Sequence, residues 1–376
     1  MAGIYIHVPF CASKCSYCDF ASFPKEFGKQ EAYFACLYKE MRSRFAEYKD
    51  KTYETVYFGG GTPSFADPKF ILGAMRLIRE CVKLSDSAEI TLEVNPGTID
   101  RNKLRIYKQA GITRFSIGLQ SSDDKLLKKI GRIHDREDFV KACDILKGYN
   151  LSADVMIGLF DQTKESVKDT IDCAINGGVK HISVYALTPE VGTPIYTDYL
   201  NGELPDSDEV ADMYEYVVKY LDGLGFKRYE VSNFAIPGFE SRHNLNYWRR
   251  GEYIGFGVGA SSFMNGRRFT NVFTIDEYVH FLLNGKYAEA SSDVIEGEDA
   301  KFEFVMLALR TSVGVDVNKY KNTICCGGNH FEDNCMIVIT LLLLFFKGFF
   351  LNSMMSTYLS CLISTPRGRH VISFRM

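Results

Sequence analysis

The chain has 376 residues, of which 46% are hydrophobic and 24% are charged, as is usual for a folded globular protein. This length allows one large domain with a smaller one, or two comparable domains. The net charge is −3, so no basic surplus points to a nucleic-acid partner. The chain contains 11 cysteines and shows no export leader before its first apolar strand. We therefore expect a cytoplasmic protein whose clustered thiols bind metal rather than forming disulfides.

Short apolar runs alternate with segments of helical period from residue 1 to about residue 186. The predicted strands cover residues 3–8, 55–58, 89–94, 114–118, 152–157 and 180–185. Residues 67–82 and 163–176 each place their apolar side chains on one helical face. Six strands alternating with helices predict parallel βα units, closed or partly closed into a barrel. Functional residues should then gather at the carboxyl ends of the strands.

Two further regions follow the predicted barrel core of residues 1–186. The second region, residues 187–323, contains one clear amphipathic helix at 207–224. The tail, residues 324–376, has only six charged residues among 53, against 85 among the preceding 323. Its uncharged run at 336–346 is too short to span a bilayer. A buried helix or strand is the favoured interpretation of that run, ahead of a marginal membrane segment.

Three cysteines follow the first predicted strand in the pattern C-x3-C-x2-C, at Cys11, Cys15 and Cys18. Three thiolates at this spacing can hold three irons of a [4Fe–4S] cubane and leave the fourth iron open to a small molecule. The alternatives are a zinc site or three unconnected buried thiols. Structural zinc needs four protein ligands, and the nearby His7 precedes the loop on the strand, where it is a poor fourth ligand. The spacing therefore favours the cubane.

The stretch from Tyr5 to Cys11, with Cys18-Asp19-Phe20, resembles the radical SAM superfamily in its coproporphyrinogen-dehydrogenase-like branch. The resemblance covers roughly residues 3–320. It implies an α/β fold, a partial (β/α)6 barrel with a smaller C-terminal α+β region. It also implies that S-adenosylmethionine binds the open iron and that the reduced cluster splits it into methionine and a 5′-deoxyadenosyl radical. A reducing donor such as flavodoxin or ferredoxin would supply the electron.

The resemblance assigns further cofactor contacts at the ends of the predicted strands. These residues are Tyr5, Tyr17, Gly60, Gly61, Thr62, Glu93, Gln120, Arg132 and Asp154. Tyr5 and Tyr17 would flank the cluster, while the glycine backbone would approach the methionine amino and carboxylate groups. Arg132 would face the carboxylate as a fork donor, and Asp154 would bind the ribose hydroxyls. Each residue alone has an ordinary structural explanation, but together they favour a cofactor site.

The second region contains His243-Asn244-Leu245-Asn246-Tyr247-Trp248, an H-N-x-x-Y-W string. This string resembles the hallmark of the haem chaperones within the same branch. It implies a haem ligand, contacts from His243 and Trp248, and recipient haemoproteins, membrane-bound ones included. Residue type alone instead favours a hydrogen-bonded structural histidine and a core tryptophan. The glycine run at 255–259 follows no clear strand and is not a dinucleotide-binding pattern.

Two other functions remain open at this stage. Oxygen-independent coproporphyrinogen III oxidase carries a further cysteine two residues after the third cluster ligand, where this chain has Phe20. The oxidase also has an extension before the first strand and lacks the H-N-x-x-Y-W string. The second is a radical enzyme with an unknown small substrate, since a fold and a cluster do not specify the reaction. A homodimer is also compatible with the sequence.

Residues 324–376 lack the polar, helix-rich ending that is usual in this branch. We hypothesise that the reading frame shifts near Ile324, so that this tail is not the native family ending. The competing hypothesis is a divergent apolar terminus that docks on a membrane or a partner. Resequencing the gene distinguishes the two.

Overall fold

The computed structural model describes residues 2–316 and 318–320, and the hypothesis about residues 324–376 therefore lies outside the described residues. The described chain forms one open, mostly parallel sheet of twelve strands. The strands are β1 (Ala2–Val8), β2 (Thr52–Gly60), β3 (Lys83–Val94), β4 (Arg114–Gln120), β5 (Asn150–Ile157), β6 (His181–Ala186), β7 (Lys227–Arg228), β8 (Asn233–Ala235), β9 (Glu252–Phe256), β10 (Ser261–Met264), β11 (Arg267–Asn271) and β12 (Glu289–Val294).

Helices follow most of the parallel strands, and further helices lie in the second region. They are α1 (Gln30–Glu47), α2 (Pro68–Cys81), α3 (Arg101–Ala110), α4 (Asp124–Lys129), α5 (Arg136–Ile145), α6 (Lys164–Asn176), α7 (Pro194–Leu200), α8 (Ser207–Gly223), α9 (Arg242–Trp248), α10 (Ile275–Leu283) and α11 (Gly297–Ala308). The six predicted strands correspond to β1–β6, and the three predicted helices correspond to α2, α6 and α8. The α/β fold with its partial, unclosed barrel is therefore confirmed.

Local sequence explains where these elements begin and which face they bury. Along β1, Ile4, Ile6 and Val8 point into the main hydrophobic core and are fully buried, as period-two alternation requires. Helix α2 begins because the Asp67 side chain accepts a hydrogen bond from the backbone N–H of Lys69, with proline at the first helical position. The opposite face of the parallel strands carries mostly polar side chains.

Strands from the second region extend the same sheet at both ends. The order is β12-β11-β10-β9-β1-β2-β3-β4-β5-β6-β8-β7. Strand β9 runs parallel to β1, pairing Ala2 with Glu252 and Ile6 with Phe256. The sequence did not indicate this strand, because five residues between glycines give too little alternation to recognise. The glycine run at 255–259 therefore begins within β9 and continues into the turn that leads to β10.

A buried carboxylate joins helix α1 to the second region. Glu40 is 1% exposed and accepts hydrogen bonds from Asn271 (2.7 Å), from the Tyr278 hydroxyl (2.6 Å) and from the backbone N–H of Gly257 (3.0 Å). Its desolvation is offset by these three donors, two of which belong to side chains on β11 and α10.

Among residues 2–316 and 318–320, no helix is both long enough and apolar enough to cross a bilayer.

We predict that Glu40→Ala destabilises the whole described fold, because it removes the acceptor of the buried Tyr278 hydroxyl and Gly257 N–H and leaves Asn271 only the Gly257 carbonyl. The free energy of unfolding should fall by about 3 kcal/mol in a urea titration. Glu137→Ala is the matched control, since Glu137 forms an exposed pair with Lys141 and should contribute less than about 1 kcal/mol. A transition in which only residues 187–323 unfold would contradict this prediction.

Candidate cofactor site

The three cysteines of the C-x3-C-x2-C loop lie directly after β1. Cys11 is buried, whereas Cys15 and Cys18 are partly exposed. The Cys11 Sγ lies 3.4 Å from the Thr62 hydroxyl, and the Cys18 Sγ lies 3.6 Å from the Ser22 hydroxyl. The backbone N–H of Cys18 donates to the carbonyl of Cys15 at 3.2 Å, which turns the loop back on itself. Two of the three thiols thus lie beside hydroxyl groups, Cys11 at Thr62 and Cys18 at Ser22.

Burial raises the pKa of Cys11 to about 11, against a hydrogen bond with Thr62 that lowers it, and the charges of Cys18 and Cys15 raise it further. The thiols thus lie close enough to repel one another when ionised, and iron must displace their protons on binding. Within residues 2–316 and 318–320, no group of three His, Cys, Asp or Glu converges to hold a single metal ion. Both ring nitrogens of His7 are engaged, with Tyr5 (3.0 Å) and with the Ala21 carbonyl (2.9 Å). This arrangement leaves His7 unsuited to be a fourth zinc ligand and fits a cubane held at three corners.

The glycine run after β2 packs directly on the cysteine loop. Gly60 adopts φ +116°, and a Cβ there would lie 2.6 Å from the His7 ring. A Cβ on Gly61 would lie 2.8 Å from the backbone of Pro9. The N–H of Gly61 donates to the Val8 carbonyl and that of Thr62 donates to the Phe10 carbonyl. Close packing against the loop therefore requires glycine at this turn, in addition to any approach by a ligand.

Glu93 lies at the end of β3 inside the polar face. Its carboxylate accepts a hydrogen bond from the Tyr57 hydroxyl (2.8 Å) and another from the backbone N–H of Gly60 (3.2 Å). Burial raises the pKa of Glu93 to about 8, against the lowering effect of the Tyr57 hydrogen bond, and Asp154 adds repulsion. Asp154, on β5, has its pKa raised by burial to about 6, against hydrogen bonds to Ser183 and Ser116. The two carboxyl groups therefore form one acidic cluster.

Arg132 and Tyr17 lie on the other side of the cysteine loop. The Arg132 guanidinium donates to the Gly118 carbonyl (2.7 Å) and lies 3.8 Å from the Cys15 Sγ. Burial raises the pKa of Tyr17 well above its usual value, and the charge of Arg132 opposes that rise, so the two side chains are neighbours. Tyr5 instead contacts His7 and stacks beside Tyr57, with 6.2 Å between ring centres. Of the two tyrosines, Tyr17 is the one that contacts a cluster cysteine.

Gln120 ends β4 in a strained conformation, with φ +65°, and is only 8% exposed. Its Oε1 has no hydrogen-bond partner within the described part of the chain. A buried acceptor of this kind fits a ligand with N–H or O–H donors. Two carboxylates, a guanidinium and this acceptor beside three thiols match the amino, carboxylate and ribose groups of S-adenosylmethionine.

Other polar residues of the same face escaped sequence analysis. A polar cavity is lined by Tyr57, Thr91, Glu93, Arg114, Ser116, Ser152, Asp154, His181, Ser183, Tyr185, Ser241 and Asn244. Most of these occupy alternate positions of β2–β6. The signal was present in the sequence, because polar residues recur at every second position of five neighbouring strands. Five polar faces that line one cavity predict a buried ligand site even without a motif.

The structure places His243 inside the fold, 1% exposed. Its Nδ1 lies 2.8 Å from the Thr55 hydroxyl, and its Nε2 lies 2.8 Å from the Tyr247 hydroxyl. Burial lowers the pKa of the imidazole to about 3, so the ring is neutral. In this conformation both ring nitrogens are therefore engaged in hydrogen bonds within the protein.

Trp248 is likewise buried, at 5% exposure, and packs against Met306 and Leu307. The Arg310 guanidinium lies over its ring at 4.8 Å. Trp248 belongs to this separate cluster, whereas the His243 ring contacts Thr55 and Tyr57 of the sheet. The two residues thus do not form an open pocket for a flat macrocycle, and the H-N-x-x-Y-W string is packed as structural core here.

Comparison with known proteins identifies the class to which this fold and site belong. The family model described as the radical SAM superfamily matches residues 5–174. The solved structure of coproporphyrinogen III oxidase (HemN) from Escherichia coli superposes with a TM-score of 0.76 at 21% identity. That likeness covers 85% of this chain and 78% of the oxidase, and it shows the shared fold.

Curated relatives define the family more closely. Heme chaperone HemW from Bacillus subtilis is 35% identical over 85% of this chain and 86% of its own length. HemW from Escherichia coli is 36% identical over 82% of each chain. HemW from Buchnera aphidicola subsp. Acyrthosiphon pisum is 30% identical over 99% of this chain and 96% of its own length. This alignment extends into the tail. The chain belongs to the HemW family of radical SAM proteins.

We predict that Cys15→Ala abolishes the cubane, because two remaining thiolates do not hold it against exchange. The measurement is iron and sulfide content with visible absorbance after anaerobic reconstitution. Cys36→Ala is the control, since Cys36 is buried on α1 as a small apolar side chain and its loss should leave the chromophore intact. Retention of about four irons with cubane absorption in Cys15→Ala would contradict the assignment.

We predict that the stability of Glu93→Gln, measured relative to the parent protein, is greater at pH 8 than at pH 6. The Glu93 pKa is raised from 4.5 to about 8, so its stabilisation is complete below 4.5 and is lost as the pH rises towards 8. Tyr5, Tyr57, Asp154 and Tyr185 face this carboxyl from four strands, with no cation among them to favour ionisation. Anaerobic urea titrations at the two pH values measure the difference between variant and parent. A difference independent of pH would rule out the raised pKa.

Proposed function

We propose that this protein binds haem and delivers it to haemoproteins, on a radical SAM scaffold that holds a [4Fe–4S] cluster and S-adenosylmethionine. The observation that carries this proposal is the HemW family membership, at about 35% identity over most of the chain. The described site contains each of the residue types that the cluster and its ligand need. Haem is the cargo, and haemoproteins, membrane-bound ones included, are the recipients.

Different residues of the site would contact different groups of the cofactor. Cys11, Cys15 and Cys18 would hold the cluster and leave one iron open. When bound there, a reduced cluster supplies an electron to the sulfonium of S-adenosylmethionine. Glu93 accepts hydrogen bonds from the ligand's amino group, and Asp154 accepts them from its ribose hydroxyls. Arg132 orients the carboxylate.

Reduction of the cluster also requires an electron donor. A small reducing protein such as flavodoxin or ferredoxin would deliver the electron to the cluster. The cluster cysteines Cys15 and Cys18 are partly exposed.

We also propose that the protein assembles as a homodimer. Sedimentation of the anaerobic protein at several concentrations measures that assembly.

Haem contact through His243 requires a change from the described conformation. The iron would take Nε2 only after the hydrogen bond to Tyr247 opens, and Trp248 would have to leave Met306 and Leu307 to pack on the macrocycle. We therefore propose His243 and Trp248 as haem contacts of an opened α9. His243→Ala should then weaken haem binding while it leaves the cubane spectrum intact.

The second candidate function is oxygen-independent coproporphyrinogen III oxidase, which the similarity of fold to HemN favours. This chain has Phe20 two residues after its third cluster cysteine, where the oxidase pattern carries a further cysteine. The chain also carries the H-N-x-x-Y-W string. Both features favour the chaperone.

One experiment tests the function against this alternative. Anaerobically purified protein, with iron, sulfide and haem quantified on the same sample, is mixed with a haem-free haemoprotein, or with coproporphyrinogen III, S-adenosylmethionine and a reductant. We expect haem to move to the recipient and coproporphyrinogen III to remain unconverted. Protoporphyrinogen production would assign the protein to the oxidase class instead.

A further inference from the structure

Helix α9, which carries the H-N-x-x-Y-W string, docks on the polar side of β1–β3. The backbone N–H of His243 donates to the Glu89 carboxylate at 3.1 Å, and the Arg242 guanidinium donates to the Ser87 carbonyl at 2.7 Å. A Cβ on Gly3 would lie 3.2 Å from the His243 ring, so β1 needs glycine there to admit the imidazole. The string is therefore held against the same strands that carry the cofactor residues.

The His243 ring is held in a single orientation. Thr55 on β2 bonds its Nδ1, and Tyr247, one turn further along α9, bonds its Nε2. The imidazole stacks on Tyr57, with 5.0 Å between ring centres and 23° between planes. The stacked imidazole in turn restrains the Tyr57 ring.

Tyr57 has the His243 ring on its face and Glu93 at its tip. Its hydroxyl donates to Glu93 Oε1 at 2.8 Å, while Glu93 Oε2 accepts from the N–H of Gly60 at 3.2 Å. Gly60 belongs to the turn that packs on the cysteine loop. An uninterrupted path of contacts therefore runs from α9 through Tyr57 to the carboxylate beside the cluster.

We propose that His243 is a positioning residue for S-adenosylmethionine: its ring holds the Tyr57 hydroxyl on Glu93. This inference rests on the proposed cofactor role of Glu93. It assigns the H-N-x-x-Y-W histidine a task in the cofactor site that is separate from any contact with haem. The sites at Glu93 and at His243 are consequently coupled.

Removing the imidazole frees Tyr57 to rotate into the space that the ring leaves. Glu93 then loses its hydroxyl donor and keeps only Gly60, so ionisation of the buried carboxyl becomes less favourable. A neutral carboxyl binds a ligand ammonium more weakly than a carboxylate does. A phenyl ring at position 243 would keep the stacking partner of Tyr57 but lose both hydrogen bonds.

The test measures S-adenosylmethionine affinity by anaerobic calorimetry on the cluster-loaded protein. His243→Ala and Tyr57→Phe should each weaken binding about tenfold, the size of one hydrogen bond to a charged group. His243→Phe should retain the affinity within about twofold, because the ring still restrains Tyr57. In the Tyr57→Phe background, His243→Ala should have no further effect, since the hydroxyl that it positions is already gone.

Controls separate this role from a loss of folding. His280→Ala removes an exposed histidine on α10 and should leave the affinity unchanged. Iron content and the urea midpoint are recorded for each variant. Additive losses from His243→Ala and Tyr57→Phe, or equal losses from His243→Ala and His243→Phe, would overturn the positioning role.

A further variant distinguishes failure of this inference from failure of the cofactor assignment. If Glu93→Gln leaves the affinity unchanged, Glu93 is not a cofactor ligand, and both the assignment and the inference are wrong. If Glu93→Gln weakens binding and His243→Ala does not, the cofactor assignment is supported and the inference alone is overturned.

Discussion

The Glu93 carboxyl, held by a tyrosine of the neighbouring strand β2 and by the glycine turn, is the constraint on which the site depends. Its donors are the Tyr57 hydroxyl on β2 and the backbone N–H of Gly60 in the glycine turn. That turn can supply its N–H only because Gly60 and Gly61 pack without side chains on His7 and Pro9. The cluster loop, the turn and the acidic pair are therefore placed by one set of contacts, and a change in any of them reaches the others.

Sequence patterns predicted the parts of this fold that are local. The six parallel strands, the α2, α6 and α8 helices and the position of the cysteine loop follow from alternation, capping and spacing over fewer than twenty residues. Strand β9 could not be predicted in this way, because its partner β1 lies about 250 residues earlier and no local pattern encodes that pairing. The cofactor residues at the strand ends were assigned by the family resemblance, and their roles stay predictions. Tyr57 was missed, because its role arises only from contacts across the sheet.

The H-N-x-x-Y-W string shows why a motif does not specify a geometry. Resemblance associated His243 with iron, whereas residue type favoured a satisfied core histidine, and the described conformation has the second arrangement. The two interpretations are compatible if α9 has two positions, because the ligand role needs the hydrogen bond to Tyr247 open and the core role needs it closed. Iron ligation would then release Tyr57, so cargo and cofactor would affect each other's binding reciprocally.

The position of β1 also has a consequence for synthesis. This strand is made about 250 residues before β9, yet it becomes an inner strand whose second edge pairs with Glu252–Phe256 of β9. At usual elongation rates, that edge remains open for on the order of tens of seconds. The cysteine loop that follows β1 is consequently anchored on one side only while most of the chain is being made. Iron is therefore best delivered to these thiols after β9 has paired with β1. Until then, the exposed edge of β1 in the nascent chain requires protection.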